Sequence, residues 1–172
     1  MSLGADADIF GPGRTARALA AATFGGRGFF CAVVRANRRL AEVPYTFGEP
    51  QAERDQRLAA LSSVVNSVDG VVPVPMGEVQ GLDTIAFFAA CRMACPHAHL
   101  VADLERFGLK LGQLCLAFGA DEIMGPIVDQ REPRLGVRVH SNELTRDEAA
   151  QLLRAAGFLP CERLPEGEVR PL

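Results

Sequence analysis

The sequence predicts an α/β fold in which βαβ units build a parallel sheet. The run at 28–35 is apolar without alternation, which is typical of a strand buried on both faces. The stretch at 51–68 has apolar residues at helical spacing, and short turns join such stretches to the strand-like runs. A chain in which strands and helices alternate forms parallel strands joined by helical crossovers.

The first half of the chain is predicted to begin with an alanine-rich helix and to contain two strands. Leu58 and Val65 lie on the apolar face of an amphipathic helix. Pro73 and Pro75 lack the N–H that a strand ladder needs, so their strand should be truncated, bulged or at an edge. The predicted elements are a helix over 14–22, a strand over 28–35, a loop over 40–50, a helix over 51–68 and a strand over 70–76.

The second half is predicted to alternate helices and strands. Its first helix is apolar almost all round, with Asp83 or Thr84 as the cap and Pro96 beyond its end. Thr145 and Glu148 have the spacing of a capping box. The predicted elements are a helix over 84–94, a strand over 99–104, a helix from 106 that Gly119 ends, a strand over 122–128, a polar loop over 129–144, a helix that Gly157 ends and an extended tail over 158–164.

Composition and charge exclude several classes of partner. The 172 residues are 48% hydrophobic and 23% charged, with a net charge of −3. A single domain over 1–172 is expected, with 1–13 as a disordered N-terminal segment. A sequence pI of about 5.6 argues against a nucleic-acid partner. No apolar run is long enough to span a bilayer, and the first residues lack the pattern of a signal peptide, so we expect no membrane partner and a cytoplasmic protein.

The five cysteines are interpreted as buried thiols and not as a disulfide framework. Cys91 and Cys95 are four residues apart on a predicted helix, and His97 and His99 follow closely. A zinc site with two thiolates and two imidazoles is therefore conceivable. Because Cys91 lies inside an apolar helix, a core helix with exposed histidines is the preferred alternative. His140 lies in a polar loop without an identified acidic partner.

Three segments of the second half carry a longer pattern. They are D-T-I-A at 83–86, F-G-L-K-L-G-Q-L-C-L-A-F-G-A-D-E at 107–122, and L-T-R-D-E at 144–148 followed by A-G-F-L-P-C-E-R at 156–163. In order and spacing they resemble the last third of the radical S-adenosylmethionine enzymes of the futalosine route to menaquinone, dehypoxanthine futalosine cyclase and aminofutalosine synthase. Residues 57–75, and more weakly 14–39, resemble earlier parts of the same family. The resemblance implies a partial, half-sized TIM-type barrel.

One element of this family is missing from the sequence. No Cys-x-x-x-Cys-x-x-Cys motif occurs anywhere in the chain. An iron–sulfur cluster of this type needs three protein thiolates, and it is the cluster that cleaves S-adenosylmethionine. We therefore expect no iron–sulfur cluster and no radical chemistry, with S-adenosylmethionine binding as a less favoured option.

The favoured hypothesis is a noncatalytic accessory or small-ligand-binding relative of these enzymes. Its expected partners are a menaquinone-pathway enzyme or a small-molecule intermediate of that pathway. The residues assigned to ligand binding are Asp103, Glu105, Met124, Gly125, Asp129 and His140. The alternative is a repurposed enzyme that uses Asp103, Glu105, Asp129 or His140 as acid or base at the carboxyl ends of the strands. No residue is assigned as a metal ligand.

The half-barrel also predicts a sheet order and an assembly. The strand at 28–35 should lie beside the strand at 122–128, with 99–104 and then 70–76 following. This leaves exposed edges at 28–35 and 70–76, and an exposed inward face that carries Val72, Leu100 or Val101, and Ile123. A homodimer that covers these surfaces is the expected assembly.

Overall fold

The computed structural model describes residue 8 and residues 10–31, 38–128, 143–164 and 167–172. The helices are α1 (Phe10–Phe24), α2 (Gln51–Val64), α3 (Gly81–Ala94), α4 (Leu104–Ala117) and α5 (Arg146–Ala155). The strands are β1 (Arg27–Phe30), β2 (Leu40–Tyr45), β3 (Gly70–Pro75), β4 (Val101–Asp103), β5 (Glu122–Met124), β6 (Ile127–Val128), β7 (Leu144–Thr145), β8 (Leu159–Arg163) and β9 (Val169–Pro171). None of the described helices is long and apolar enough to cross a membrane.

A mostly parallel sheet forms the centre of the fold. Its order is β4-β5-β1-β8-β9, and all neighbours are parallel except β8 and β9. β2 and β3 form a second parallel pair, which joins β4 through a bridge between Val71 and Leu100. The Val71 N–H donates to the His99 carbonyl at 2.7 Å. The predicted parallel α/β fold is therefore confirmed, with β3, β4, β5 and β1 in the predicted order.

Residues 40–45 form a strand, so the prediction of a loop there is wrong. Val43 and Tyr45 are buried while Glu42 and Pro44 are exposed, which is the period-2 alternation of a strand. The Arg39 and Tyr45 carbonyls accept hydrogen bonds from the neighbouring strand segment. The backbone groups of Pro44 consequently face away from β3, so its missing N–H removes no bond from the ladder.

The two predicted sheet edges are also corrected. β8 pairs with β1 from Arg27 to Phe30, because the extended segment after α5 joins the sheet instead of forming a tail. β2 pairs with β3 along its whole length. β1 and β3 are therefore interior strands, and β2 and β9 are the outer strands of the described sheet.

The helices pack on one side of the sheet at the predicted places, although α2 ends at Val64 and not at the predicted residue 68. The capping box of Thr145 and Glu148 is present at the start of α5. α1 begins at Phe10, earlier than predicted, because the Asp8 side chain accepts hydrogen bonds from the Phe10 and Gly11 N–H groups. α4 breaks at Gly108, whose φ of 70° lies in the left-handed region and divides the helix into two segments.

The opposite side of the sheet, here called the inner face, carries a small apolar cluster of Val72, Val74 and Val101. Val72 is 2% exposed and Val101 is fully buried within the single chain. Ile123 points to the helix layer, where it belongs to the main core, and its neighbour Glu122 takes the inner face. The predicted exposed apolar patch is therefore wrong for these residues.

Candidate functional site

A cleft on the inner face has an empty volume of about 510 Å³, part of it open to solvent. Asp103 and Met124 reach it from the carboxyl ends of β4 and β5, the end at which barrel enzymes place their sites. The lining residues are Arg38, Leu40, Glu42, Val72, Asp103 and Met124. The cleft thus combines three apolar side chains with one cation and two carboxylates.

Asp103 is buried and uses both carboxylate oxygens for protein contacts. Oδ1 accepts a hydrogen bond from the Glu105 N–H at 3.0 Å, which caps α4. Oδ2 accepts one from Arg106 Nε at 3.0 Å. Arg106 in turn places Nη2 3.5 Å from Glu42 Oε1 at the rim of the cleft. Asp103 therefore caps α4 and orients Arg106.

Glu122 sits below the cleft between two arginines. Its side chain is 1% exposed and accepts two hydrogen bonds from Arg38, one of them from Nη2 at 3.1 Å. Arg163 Nε donates to the same carboxylate at 3.1 Å. These contacts tie β5 to β8 and to Arg38, which lies two residues before β2. They also leave two cations facing one carboxylate.

His99 links this group to a second buried carboxylate. Its Nδ1 lies 2.5 Å from Asp121 Oδ2, and its Nε2 lies 2.7 Å from Arg163 Nη2. Arginine only donates, so Nε2 must accept and the proton must reside on Nδ1, where it is donated to Asp121. These contacts correspond to the tautomer with the proton on Nδ1.

Arg92, in α3, is the last member of this group of linked charged side chains. It is fully buried, donates to Asp121, and also donates to the Gly119 carbonyl at 2.8 Å and the Ala98 carbonyl at 2.6 Å. Burial lowers its pKa from the ordinary arginine value, although the Asp121 charge opposes that shift. The side chain holds the C-terminal end of α3 to the loops before β4 and β5, which is a structural role.

The remaining residues assigned to ligand binding lie elsewhere. Glu105 is exposed in the first turn of α4 and does not line the cleft. Gly125 is buried against Leu104, whose Cβ would lie 3.1 Å from a Cβ added at the glycine. Asp129 and His140 fall outside the described residues. Of the six, the structure brings Asp103 and Met124 together in the cleft.

Several residues of the site were not found from the sequence. Arg38 lies in a basic run, which more often indicates a solvated surface, and Glu42 lies in a segment predicted as a loop. Arg163 is in the predicted tail. The alternation of apolar and polar residues at 40–45 is the one sequence signal that could have placed Glu42 on a strand, on the same face as Leu40.

Four of the five cysteines are buried, and Cys31 is half-buried. Cys91, Cys95, Cys115 and Cys161 are buried, as interpreted from the sequence, and burial raises the pKa of each thiol. Within the described ranges, no three His, Cys, Asp or Glu side chains form a group that could hold a metal ion, and His97 is exposed at the surface.

Comparison with solved structures identifies the architecture. A crystal structure of methylornithine synthase, a radical S-adenosylmethionine enzyme, superposes with a TM-score of 0.51 at 18% sequence identity. The match covers 69% of this chain and 40% of that one. The chain has a partial TIM-like barrel fold.

The likeness concerns the fold. This chain spans about 40% of the length of the enzyme that it matches. No protein-family profile matches the sequence, and no curated protein is detectably similar to it. The partial barrel nevertheless agrees with the architecture that the sequence resemblance implied.

Proposed function

We propose that the protein is a noncatalytic small-ligand-binding or accessory relative of the radical S-adenosylmethionine enzymes of the futalosine pathway. The observation that carries this proposal is an amphipathic cleft on the inner face of a partial barrel whose sequence lacks the three-cysteine motif. The three resembling segments at 83–86, 107–122 and 144–163 support the pathway assignment, and the likeness to a radical S-adenosylmethionine fold is compatible with it.

The charges of the cleft favour binding over acid or base catalysis. A general base needs an oxygen or nitrogen free to take a proton from the substrate. Asp103 gives both oxygens to its own helix and to Arg106, and Glu122 is held between two arginines. These contacts hold both carboxylates in fixed positions, which suits a role in shaping and polarising the site.

Anaerobic reconstitution with iron and sulfide tests the noncatalytic part. We expect no stoichiometric cluster and no cleavage of S-adenosylmethionine, because the sequence lacks the three-cysteine motif that would supply the thiolate ligands. A cluster-loaded protein that cleaves S-adenosylmethionine would overturn this part.

A thermal-shift screen tests the binding part. Futalosine-pathway intermediates and S-adenosylmethionine are the probes, each measured with the wild type and with Met124→Glu, which places a charge among the apolar lining. A ligand at one hundred times its Kd stabilises the folded state by about 2.7 kcal/mol. We expect a shift for one intermediate in the wild type that the variant lacks, and no shift with any probe would contradict ligand binding.

Glu42 is the residue of the cleft that favours the alternative function, a repurposed enzyme. Its side chain is 58% exposed at the rim, and its contact with Arg106 leaves one oxygen without a hydrogen bond among the described residues. An acid or base role predicts that Glu42→Gln abolishes turnover of a bound intermediate. Under the favoured function, product analysis of any bound intermediate shows no turnover at all.

A further inference from the structure

The end of the cleft at Arg38 carries excess positive charge. Arg38 Nη2 and Arg163 Nε both lie 3.1 Å from the same oxygen of Glu122. Two cations therefore share one carboxylate. The arginine side chains are only 15% and 17% exposed, so water screens the remaining charge less than it would at an open surface.

The rim at Glu42 carries excess negative charge. Arg106 is 3.0 Å from Asp103 and 3.5 Å from Glu42, so one cation faces two carboxylates there. Asp103 takes the shorter contact and is buried. Glu42 is more than half exposed, and it is the carboxylate that a ligand can reach.

The two charged ends are separated by an apolar floor. Arg38, Leu40 and Glu42 alternate along the chain and line the same cleft. Arg38 and Glu42 are four residues apart, which in an extended chain corresponds to about 13 Å between their Cα atoms. Val72 and Met124 complete the apolar surface between the charges.

We infer that the cleft takes a small zwitterionic ligand whose carboxylate and ammonium groups are joined by a short apolar chain. The carboxylate pairs with Arg38, the ammonium group with Glu42, and the apolar chain covers Leu40, Val72 and Met124. This inference rests on the proposed ligand-binding function and names the chemical class of its ligand.

Three probes of matched length test the inference. They are ε-aminocaproate with both charges, caproate with the carboxylate alone and hexylamine with the ammonium group alone. Backbone amide NMR locates the bound probe, and calorimetry measures its Kd. We expect ε-aminocaproate to perturb the amides of β2 and β4 and to bind at least tenfold more tightly than either of the others, because it satisfies both ends.

Two glutamate variants separate the rim contact from a general loss of charge. Glu42→Gln should weaken ε-aminocaproate binding to the level of caproate and leave the Kd of caproate unchanged. Glu53→Gln is the matched control, because its side chain is 59% exposed on α2 and does not line the cleft. It should leave all three Kd values unchanged.

Equal affinities for the three probes, amide shifts outside the cleft, or equal effects of the two variants would each overturn the inference. Failure of all three probes while a pathway intermediate still shifts the melting temperature of the wild type would overturn the ligand class alone. Failure of every probe and every intermediate would remove the proposed ligand-binding function as well.

Discussion

Charged side chains in the interior of this protein are held in groups, so each depends on partners that are far away in the sequence. Asp121, Glu122 and Glu162 are at most 1% exposed, and each accepts hydrogen bonds from two basic side chains. Burying a carboxylate is costly unless it is paired in this way. The removal of one member therefore leaves the others uncompensated.

Glu122→Gln tests this dependence. The change keeps the side-chain volume but removes the charge that Arg38 and Arg163 share. We expect the free energy of unfolding to fall by about 3 kcal/mol, as when a buried ion pair loses one partner. Urea unfolding measures it. Glu105→Gln makes the same chemical change at an exposed site and should stay within about 0.5 kcal/mol of the wild type; equal stability of the two variants would contradict the argument.

The ionisation of Tyr45 makes the stability of the fold depend on pH in the alkaline range. It is 3% exposed and hydrogen-bonded to the Thr84 hydroxyl at 2.8 Å, and burial raises its pKa to about 12. In the unfolded chain a tyrosine ionises near its ordinary value of about 10. The neutral ring therefore stabilises the fold fully below about pH 10, and this stabilisation is lost as the pH rises toward about 12.

Absorbance of the phenolate measures this directly, because the chain contains one tyrosine. We expect the folded protein to titrate near pH 12 and the denatured protein near pH 10. Tyr45→Phe should remove both the signal and this part of the stability loss. Ionisation near pH 10 in the folded protein would show that Tyr45 is accessible to water.

Among the elements, the outer strands are protected against pairing with further strands. β2 carries Pro44 and the charged Glu42, and the Pro44 carbonyl accepts a hydrogen bond from Arg57 at 2.9 Å. β9 is short and ends in Pro171. Prolines, charges and short length are common ways in which proteins keep sheet edges from associating. The sheet edges therefore no longer provide a reason for a homodimer.

The start of α5 offers a test of a single helix cap. The Glu148 N–H donates to Thr145 Oγ1 at 3.2 Å, and the Thr145 N–H donates to Glu148 Oε2 at 2.8 Å. Thr145→Ala should lower the free energy of unfolding by about 1 kcal/mol, since an orphan N–H loses its acceptor. Thr15→Ala, in the exposed interior of α1, is the control and should change it by less than about 0.5 kcal/mol. Equal losses of unfolding free energy in the two variants would show that the Thr145 cap does not stabilise α5.

At the scale of the whole molecule, the homodimer stays a prediction. Its expected interface is no longer the sheet edges and the inner face but a surface at one end of the sheet. Phe47, Met76 and Leu82 are 58%, 59% and 61% exposed where β2 and β3 end and α3 begins. A contiguous patch of exposed apolar side chains is typical of an interaction surface, and a dimer through these three side chains is our proposal. We expect light scattering at micromolar concentration to give the dimer mass.

Met76→Glu should then dissociate the dimer, because it places a charge in the interface. Met93→Glu is the control, since Met93 is 47% exposed near the other end of α3. A monomer mass for the wild type, or equal effects of the two variants, would exclude a dimer through this surface.

The sequence by itself determined the α/β class, the five helices, the cap of α5 and the order of β3, β4, β5 and β1. These features follow from local periodicity, from capping residues and, for the strand order, from the resemblance of the three segments to a barrel family. Asp103 and Met124 could be singled out for the same reason, because residues at the ends of parallel strands converge.

Only the tertiary structure decided which segments complete the sheet and what fills its inner face. β2 and β8 were missed because a short strand with a proline, or a terminal extended segment, has little local signal until a partner strand is present. Arg38 and Glu122 are 84 residues apart in the chain. Their contact depends on β5, β8 and the start of β2 meeting in space, and no local pattern of residues encodes such a meeting.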